Sequence, residues 1–514
     1  MSDEVVIQID TGDLTAEDVL AVARGGARVA VTDRARTEMA TARKRVDELA
    51  AAPVPAYGVS TGFGALATRH IDPELRTQLQ RSLVRSHAAG MGEPVEREVV
   101  RALMLLRCKT LASGRTGARP EVAETLAALL NAGITPVVRE YGSLGCSGDL
   151  APLAHCALVL MGEGRATGPD GTEDDAATLL AAAGITPVEL AAKEGLALIN
   201  GTDGMLGMLV MACADLRRLV RVADVTAAMS VEALLGTDQV FLPELQALRP
   251  HPGIADSAAN MLAVLAGSGI VASHRHGDTR VQDAYSLRCA PQVTGAVRDT
   301  LDHAALVADR ELAAAVDNPV VLPDGRVSSN GNFHGAPVAY VLDFLAIAAA
   351  DCGSIAERRT DRLLDVSRSH GLPAFLADDP GVDSGLMIAQ YTQAALVSEA
   401  KRLAAPASVD SIPSSAMQED HVSMGWSAAR KLRTTVGNLT RILAVELVAA
   451  ARGIDLRAPL TPSPATRAVR DALREVVPGP GTDRFLAPEL AAAEEFVRSG
   501  AVLDAAESVV GPLR

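Results

Sequence analysis

The sequence predicts a mostly α protein: a long antiparallel helical bundle with a smaller mixed domain at its N-terminal end. Three observations predict it. Ala and Leu dominate a chain that is 48% hydrophobic but only 3% aromatic, which suits helices packed closely through small side chains. Residues 430–452 place Leu432, Val436, Leu439, Leu443 and Leu447 at helical spacing, one apolar stripe about six turns long. Short β-branched runs at 4–10 (EVVIQID) and 27–32 (ARVAVT) read as strands near the start of the chain.

The elements follow in order. Residues 57–64 (YGVSTGFG) hold three glycines and form a loop. A helix starts at Pro94, with Val95, Val99, Leu103 and Leu106 recurring on one face and Gly114 beyond its end. Residues 165–190 form a polar surface excursion. Residues 204–235, 338–359 and 385–404 are apolar helices, and Gly453 caps the helix over 430–452. At 319–329 a Pro-Asp-Gly turn separates two β-prone runs. The 514 residues exceed one ordinary core, so two domains are expected: 1–115, mixed, and 116–514, helical. Long helices with single apolar stripes often need partner subunits to cover them.

A net charge of −15 argues against nucleic acid or an anionic membrane surface as partner. The apolar stretches 204–214 and 340–350 are too short to span a bilayer and read as buried core. No basic region followed by an apolar run opens the chain, so a cytoplasmic protein is expected, with its six scattered cysteines as free thiols. No metal site is expected: HExxH and CxxC spacings are missing, and His274-Arg275-His276 alone is weak.

The loop at 142–155, GSLGCSGDLAPLAH, carries the chemistry. A phosphate-binding loop would end Gly-Lys-Ser/Thr, but Gly148 is followed by Asp149, whose carboxylate repels an anion. A hydrolase nucleophile elbow needs glycine where Asp149 stands, so a serine hydrolase using Ser147 stays open only as a remote alternative. A third reading fits the residue types. The amide nitrogen of Gly148 attacks the carbonyl carbon of Cys146, and loss of two waters leaves a five-membered ring with an exocyclic methylidene. Glycine at 148 removes the Cβ that would block that approach, and Ser147 supplies the hydroxyl to be eliminated. Position 146 gives only its carbonyl carbon.

GSLGCSGDLAPLAH resembles the signature of the aromatic amino acid ammonia-lyase and aminomutase family, whose prosthetic group is methylidene-imidazolone. The usual family triplet is Ala-Ser-Gly, and Cys146 departs from it. The resemblance runs from about Tyr57 to about residue 455 and implies an ammonia-lyase/fumarase-like fold. YGVSTGFG resembles the segment bearing a catalytic tyrosine, here Tyr57. SHAAGMGEP at 86–94 resembles that bearing a substrate-binding histidine, His87. EGLALINGTDGM at 194–205 is similar to the asparagine segment, giving Asn200. VQDAYSLRCAPQV at 281–293 gives Gln282, Tyr285 and Arg288, which share a face if the segment is helical. GNFHGAPVA at 331–339 gives Phe333, with Ala336 a departure, and MQEDHVSMG at 417–425 gives Glu419, with Met417 another.

The resemblance implies these roles. Cys146, Ser147 and Gly148 form the prosthetic group, and no external cofactor is needed. Tyr57 removes the β-hydrogen, with a pKa lowered by nearby donors or positive charge. Asn200 and Tyr285 hydrogen-bond the ring or the departing nitrogen, Arg288 clamps the substrate carboxylate, and Gln282 and Phe333 position the substrate. His87 and Glu419 offer polar partners to an imidazole, and Gln418-Glu419-Asp420-His421 resembles the histidine branch of the family. The implied reaction is elimination of ammonia from L-histidine to give trans-urocanate, in a homotetramer with shared active sites. A tyrosine or phenylalanine ammonia-lyase, or an aminomutase, shares the loop and Tyr57. Individually, each side chain also has an ordinary structural use, as buried amides and histidines usually do.

Overall fold

The computed structural model describes residues 5–62, 64–278 and 280–514. Glu4, at the edge of the first expected strand, and Phe63, inside the glycine-rich loop, lie outside them. The chain is mostly helical, with only short strands. It divides into two compact units, one made of residues up to 211 with 305–343 and 406–430, the other of 212–304, 344–405 and 431–514. Residue 115, the expected domain boundary, falls inside the first unit, because the helix Arg97–Ala112 packs on Pro120–Asn131 across it.

In the first unit, Val6–Ile9 and Arg28–Val31 pair in parallel, Val6 opposite Arg28 and Ile9 opposite Val31. Thr15 and Asp18 close a capping box before the helix Ala16–Ala23, and the Thr32 hydroxyl accepts from the Ala35 amide to start Asp33–Ala51. The expected helix start at Pro94 is corrected. Pro94 ends a short strand, Met91–Pro94, antiparallel to Arg139–Tyr141, and the helix begins at Arg97. Glu173–Asp175 pairs with Arg165–Thr167 in the polar excursion. The Pro-Asp-Gly turn closes the hairpin Val320–Val321 with Val327–Ser328, with Gly325 at φ +81°. Val321 joins Ala42, Val46 and Val59 in a buried cluster.

In the second unit, Leu432, Val436, Leu439, Leu443 and Leu447 are buried as the stripe requires. Their helix runs Gly425–Asp455, so Gly453 is not its cap. A Cβ at Gly453 would lie 3.0 Å from Ala233 Cβ and 3.3 Å from Leu363, so the glycine serves close packing within the helix. Arg359 and Glu446 form a buried ion pair, and Glu446 also accepts from the hydroxyls of Thr226 and Ser230.

The apolar segments around 340–350 and 430–452 belong to longer helices than the sequence reading allowed. Ala336–Leu364 and Gly425–Asp455 have the length and apolarity to cross a membrane, but 61% and 83% of their apolar windows are buried within the protein. Such burial is what core helices of this length need.

Candidate active site

The loop before the helix Leu150–Leu160 is clamped from several sides. Asp149 donates its backbone N–H to Gly201 O at 2.7 Å. Its buried carboxylate accepts from Ser143 Oγ at 2.8 Å and from the amides of Gly204 and Met205 at 2.9 Å, the first turn of the helix Asp203–Ala233. Burial outweighs those bonds and pushes the Asp149 carboxyl up to about 7. Ser423 Oγ donates to Gly145 O at 2.9 Å, and Met424 N to Leu144 O at 2.9 Å. Gly148 has φ +81°, and a Cβ there would run into the Gly201 carbonyl. Glycine is therefore required at 148 by backbone contact, and the chain on both sides of Ser147 is held close.

Ser147 faces two adjoining cavities. One, of about 510 Å³, is lined by Tyr57, His87, Ser147, Asn200 and Glu419 among mainly apolar residues such as Leu83, Leu150 and Leu196. The other, of about 420 Å³, shares Tyr57, Ser147 and Glu419 and adds Cys146, Phe333, His334 and His421. Two loops distant in sequence from the serine thus meet it. Ser147 Oγ donates to Glu419 Oε1 at 3.3 Å, and Cys146 Sγ to Glu419 Oε2 at 3.1 Å.

Asn200 ends the short helix Glu194–Ile199. Its Nδ2 donates to Asn318 O at 3.0 Å, which leaves Oδ1 buried with no hydrogen-bond partner among the described residues. An orphaned acceptor in a cavity wall is a place for a substrate or ring donor. His87 Nδ1 bonds Leu83 O at 2.9 Å, so Nδ1 carries the proton and Nε2 is left as an acceptor. Burial pushes His87 below the usual imidazole value, partly offset by that bond and by Glu419. The expected lowering of the Tyr57 pKa is corrected: burial pushes it up, as do the charges of Glu419 and Asp317, against one backbone bond from Gly64. Among the described residues, no positive charge contributes to lowering the phenol.

The segment 281–288 lies in the second unit, and its residues line neither cavity. Helix is confined to Tyr285–Arg288, after Ala284 in extended conformation, so Gln282 lies outside the turn and the three side chains do not share a helical face. Tyr285 is 72% exposed, and the Arg288 guanidinium stacks on its ring at 4.7 Å. Arg288 Nε is buried without a partner among the described residues. Asp283 accepts from Thr237 N and faces Arg280.

Sequence reasoning missed Ser414 and the structural use of Asp149. Ser414 Oγ donates to Glu419 Oε2 at 2.9 Å. No motif marks it, since the bond depends on a tight reversal of residues 414–419. Asp149 stood in the signature, but its partners at 204 and 205 are visible only once the chain is folded.

A mostly helical chain whose glycine-pinned serine faces a tyrosine, an asparagine and a glutamate has the outline of a lyase acting on amino acids. The chain belongs to the aromatic amino acid lyase family, whose sequence profile matches residues 14–475. It is an enzyme, a lyase. It is similar to the histidine ammonia-lyase of Streptomyces avermitilis, 74% identical over 508 residues that cover 99% of each chain. Among solved structures it is similar to the tyrosine aminomutase of Streptomyces globisporus (39% identical, TM-score 0.93, covering 99% of this chain and 100% of that one). The histidine ammonia-lyase of Trypanosoma cruzi is similar too, at 39% identity and TM-score 0.90, covering 99% and 96%.

Proposed function

We propose that the protein eliminates ammonia from L-histidine to give trans-urocanate, the first step in degrading that amino acid. The observation that carries this reading is the Glu419 carboxylate beside Ser147 in a cavity with mainly apolar walls. A phenyl ring gains little from a carboxylate there, whereas an imidazole N–H donates to it, as a phenol O–H also would. The close similarity to a histidine ammonia-lyase supports the same substrate.

The residues fit a methylidene-imidazolone. The glycine required at 148, the clamp around 145–149 and the orphaned Asn200 Oδ1 all favour it. We infer that the Gly148 amide nitrogen bonds to the Cys146 carbonyl carbon, whose oxygen leaves as one water, and that the Ser147 hydroxyl leaves as a second. Clamping pre-orders the two reacting atoms and removes much of the entropic cost of closure. Such a ring supplies an electrophile that no ordinary side chain offers.

The chain's own groups do the rest. Asn200 Oδ1 accepts a hydrogen bond at the site of the departing amine. His87 Nε2 and Glu419 hold the imidazole, and Phe333 limits its position. Tyr57 takes the β-proton at its phenol oxygen, which requires positive charge to offset Glu419 and Asp317. Arg288 supplies that charge and grips the substrate carboxylate through its fork, with Gln282 and Tyr285 beside it. We propose that these three come from neighbouring copies in a cytoplasmic homotetramer. The exposure of Tyr285, and of Phe344, Ile347, Ile388 and Tyr391 on the helices Ala336–Leu364 and Met387–Leu403, supports a covered surface.

Incubation of the purified protein with L-histidine, with urocanate followed by chromatography, tests the substrate. L-Tyrosine and L-phenylalanine are the comparison, since an aminomutase is among the similar structures. Intact mass tests the ring: a mass equal to the plain translated chain sinks it.

A further inference from the structure

Glu419 has two oxygens in different surroundings. Among the described residues, Oε1 accepts only the Ser147 hydroxyl, at 3.3 Å. Oε2 accepts Ser414 Oγ at 2.9 Å and Cys146 Sγ at 3.1 Å. The backbone reinforces the second set. Ser414 N donates to Glu419 O at 2.9 Å and Glu419 N to Ser414 O at 3.3 Å, closing a reversal between them. That reversal runs through three consecutive left-handed residues, Ser415 (φ 51°), Ala416 (φ 53°) and Met417 (φ 68°). Three such residues in a row are costly for side chains with a Cβ, and the chain accepts them only where the surroundings fix the result.

Ring formation expels the Ser147 hydroxyl but leaves the side chain of Cys146 in place, because only its carbonyl carbon is used. We propose that Cys146 and Ser414 are positioning residues: together they hold Oε2 of Glu419, so that loss of the Ser147 hydroxyl leaves Oε1 as the single open acceptor for the imidazole N–H of the substrate. This rests on the histidine reading above. It also gives the cysteine at 146 a purpose that an alanine in the same triplet lacks. Burial and the nearby Glu419 charge push the Cys146 thiol up to about 12, so it stays protonated and remains a donor across the working pH range.

The test is calorimetric binding of trans-urocanate to the wild type and to Cys146→Ala, Cys146→Ser, Ser414→Ala and Ser414→Thr, each checked by intact mass. A two-water deficit in every variant shows that each folds and forms its ring. Cys146→Ala and Ser414→Ala are expected to weaken urocanate binding by about fivefold to tenfold, the usual net worth of one hydrogen bond after competition with water. Cys146→Ser and Ser414→Thr, which keep a donor, are expected to stay within about twofold of the wild type. Equal affinity across all five proteins overturns the proposal, as does equal weakening by the conservative and alanine variants. Failure of the wild type itself to bind urocanate or turn over histidine refutes the substrate reading instead, so the two failures are distinguishable.

Discussion

The Ser147 hydroxyl and the Glu419 carboxylate lie 3.3 Å apart although 272 residues separate them in the chain. On the proposed function, the contact joins the residue that loses its side-chain oxygen to the one that reads the substrate ring. Glu419→Ala is therefore expected to lower kcat/KM for L-histidine by about a hundredfold or more, the scale of losing a positioned charged partner in a dry site. Glu419→Gln keeps one carbonyl acceptor and should fall less. Steady-state kinetics for both variants check this; an unchanged rate for the alanine variant would remove the imidazole argument.

Ser147→Ala should abolish turnover and leave at most one water missing, since ring closure can still release one but no hydroxyl remains to leave. Gly148→Ala should do more harm. It places a Cβ against the Gly201 carbonyl at φ +81°, a combined strain of about 1–3 kcal/mol or more. Its chain should carry the full translated mass and melt several degrees lower, read by mass spectrometry and calorimetry.

Asp149→Asn tests the buried carboxyl at the start of the helix Asp203–Ala233. The folded value of about 7 lies above the ordinary 3.8, so ionisation disfavours the fold. The stabilising contribution of the protonated group is complete below about pH 4 and is lost as pH rises toward 7. Asparagine is neutral throughout. The wild type should therefore lose Tm relative to this variant between about pH 4 and pH 7. A difference in Tm that does not vary with pH contradicts the assignment.

The proposed sharing of sites between copies predicts complementation. Tyr57→Phe and Arg288→Ala should each be nearly inactive alone. Their co-expression should restore a fraction of activity, because some sites then combine an intact Tyr57 with an intact Arg288 from another copy. Light scattering should give the mass of a tetramer. A monomeric active species, or no recovery on co-expression, argues that each chain builds its site alone.

Much of this was legible in the sequence, for identifiable reasons. The stripe Leu432–Leu447 obeys the helical period, so the helix was predictable, but its end was not. Gly453 reads as a stop signal, yet Ala233 and Leu363 press so closely on it that glycine is the residue that fits within the helix. Pro94 likewise reads as a helix start, but pairing opposite Arg139 draws it into a strand. At the site, Tyr57, His87, Asn200, Ser147 and Glu419 line one cavity. The segment with Gln282 and Arg288 did not form the expected helical face, because helix begins only at Tyr285. The bond from Ser414 to Glu419 had no signal in the spacing, because it depends on left-handed residues that composition does not mark.

The bonds that gather residues 145–149 also give each molecule a memory. The proposed closure between Gly148 and Cys146 would rely on Gly201, Ser423 and Met424 being in place, so a polypeptide that has never reached its native arrangement should keep its full mass. On the proposed ring chemistry, the two missing waters act as an irreversible record of successful folding. A later denaturation does not erase it, and the proportion of lighter chains in any preparation counts those that once got there.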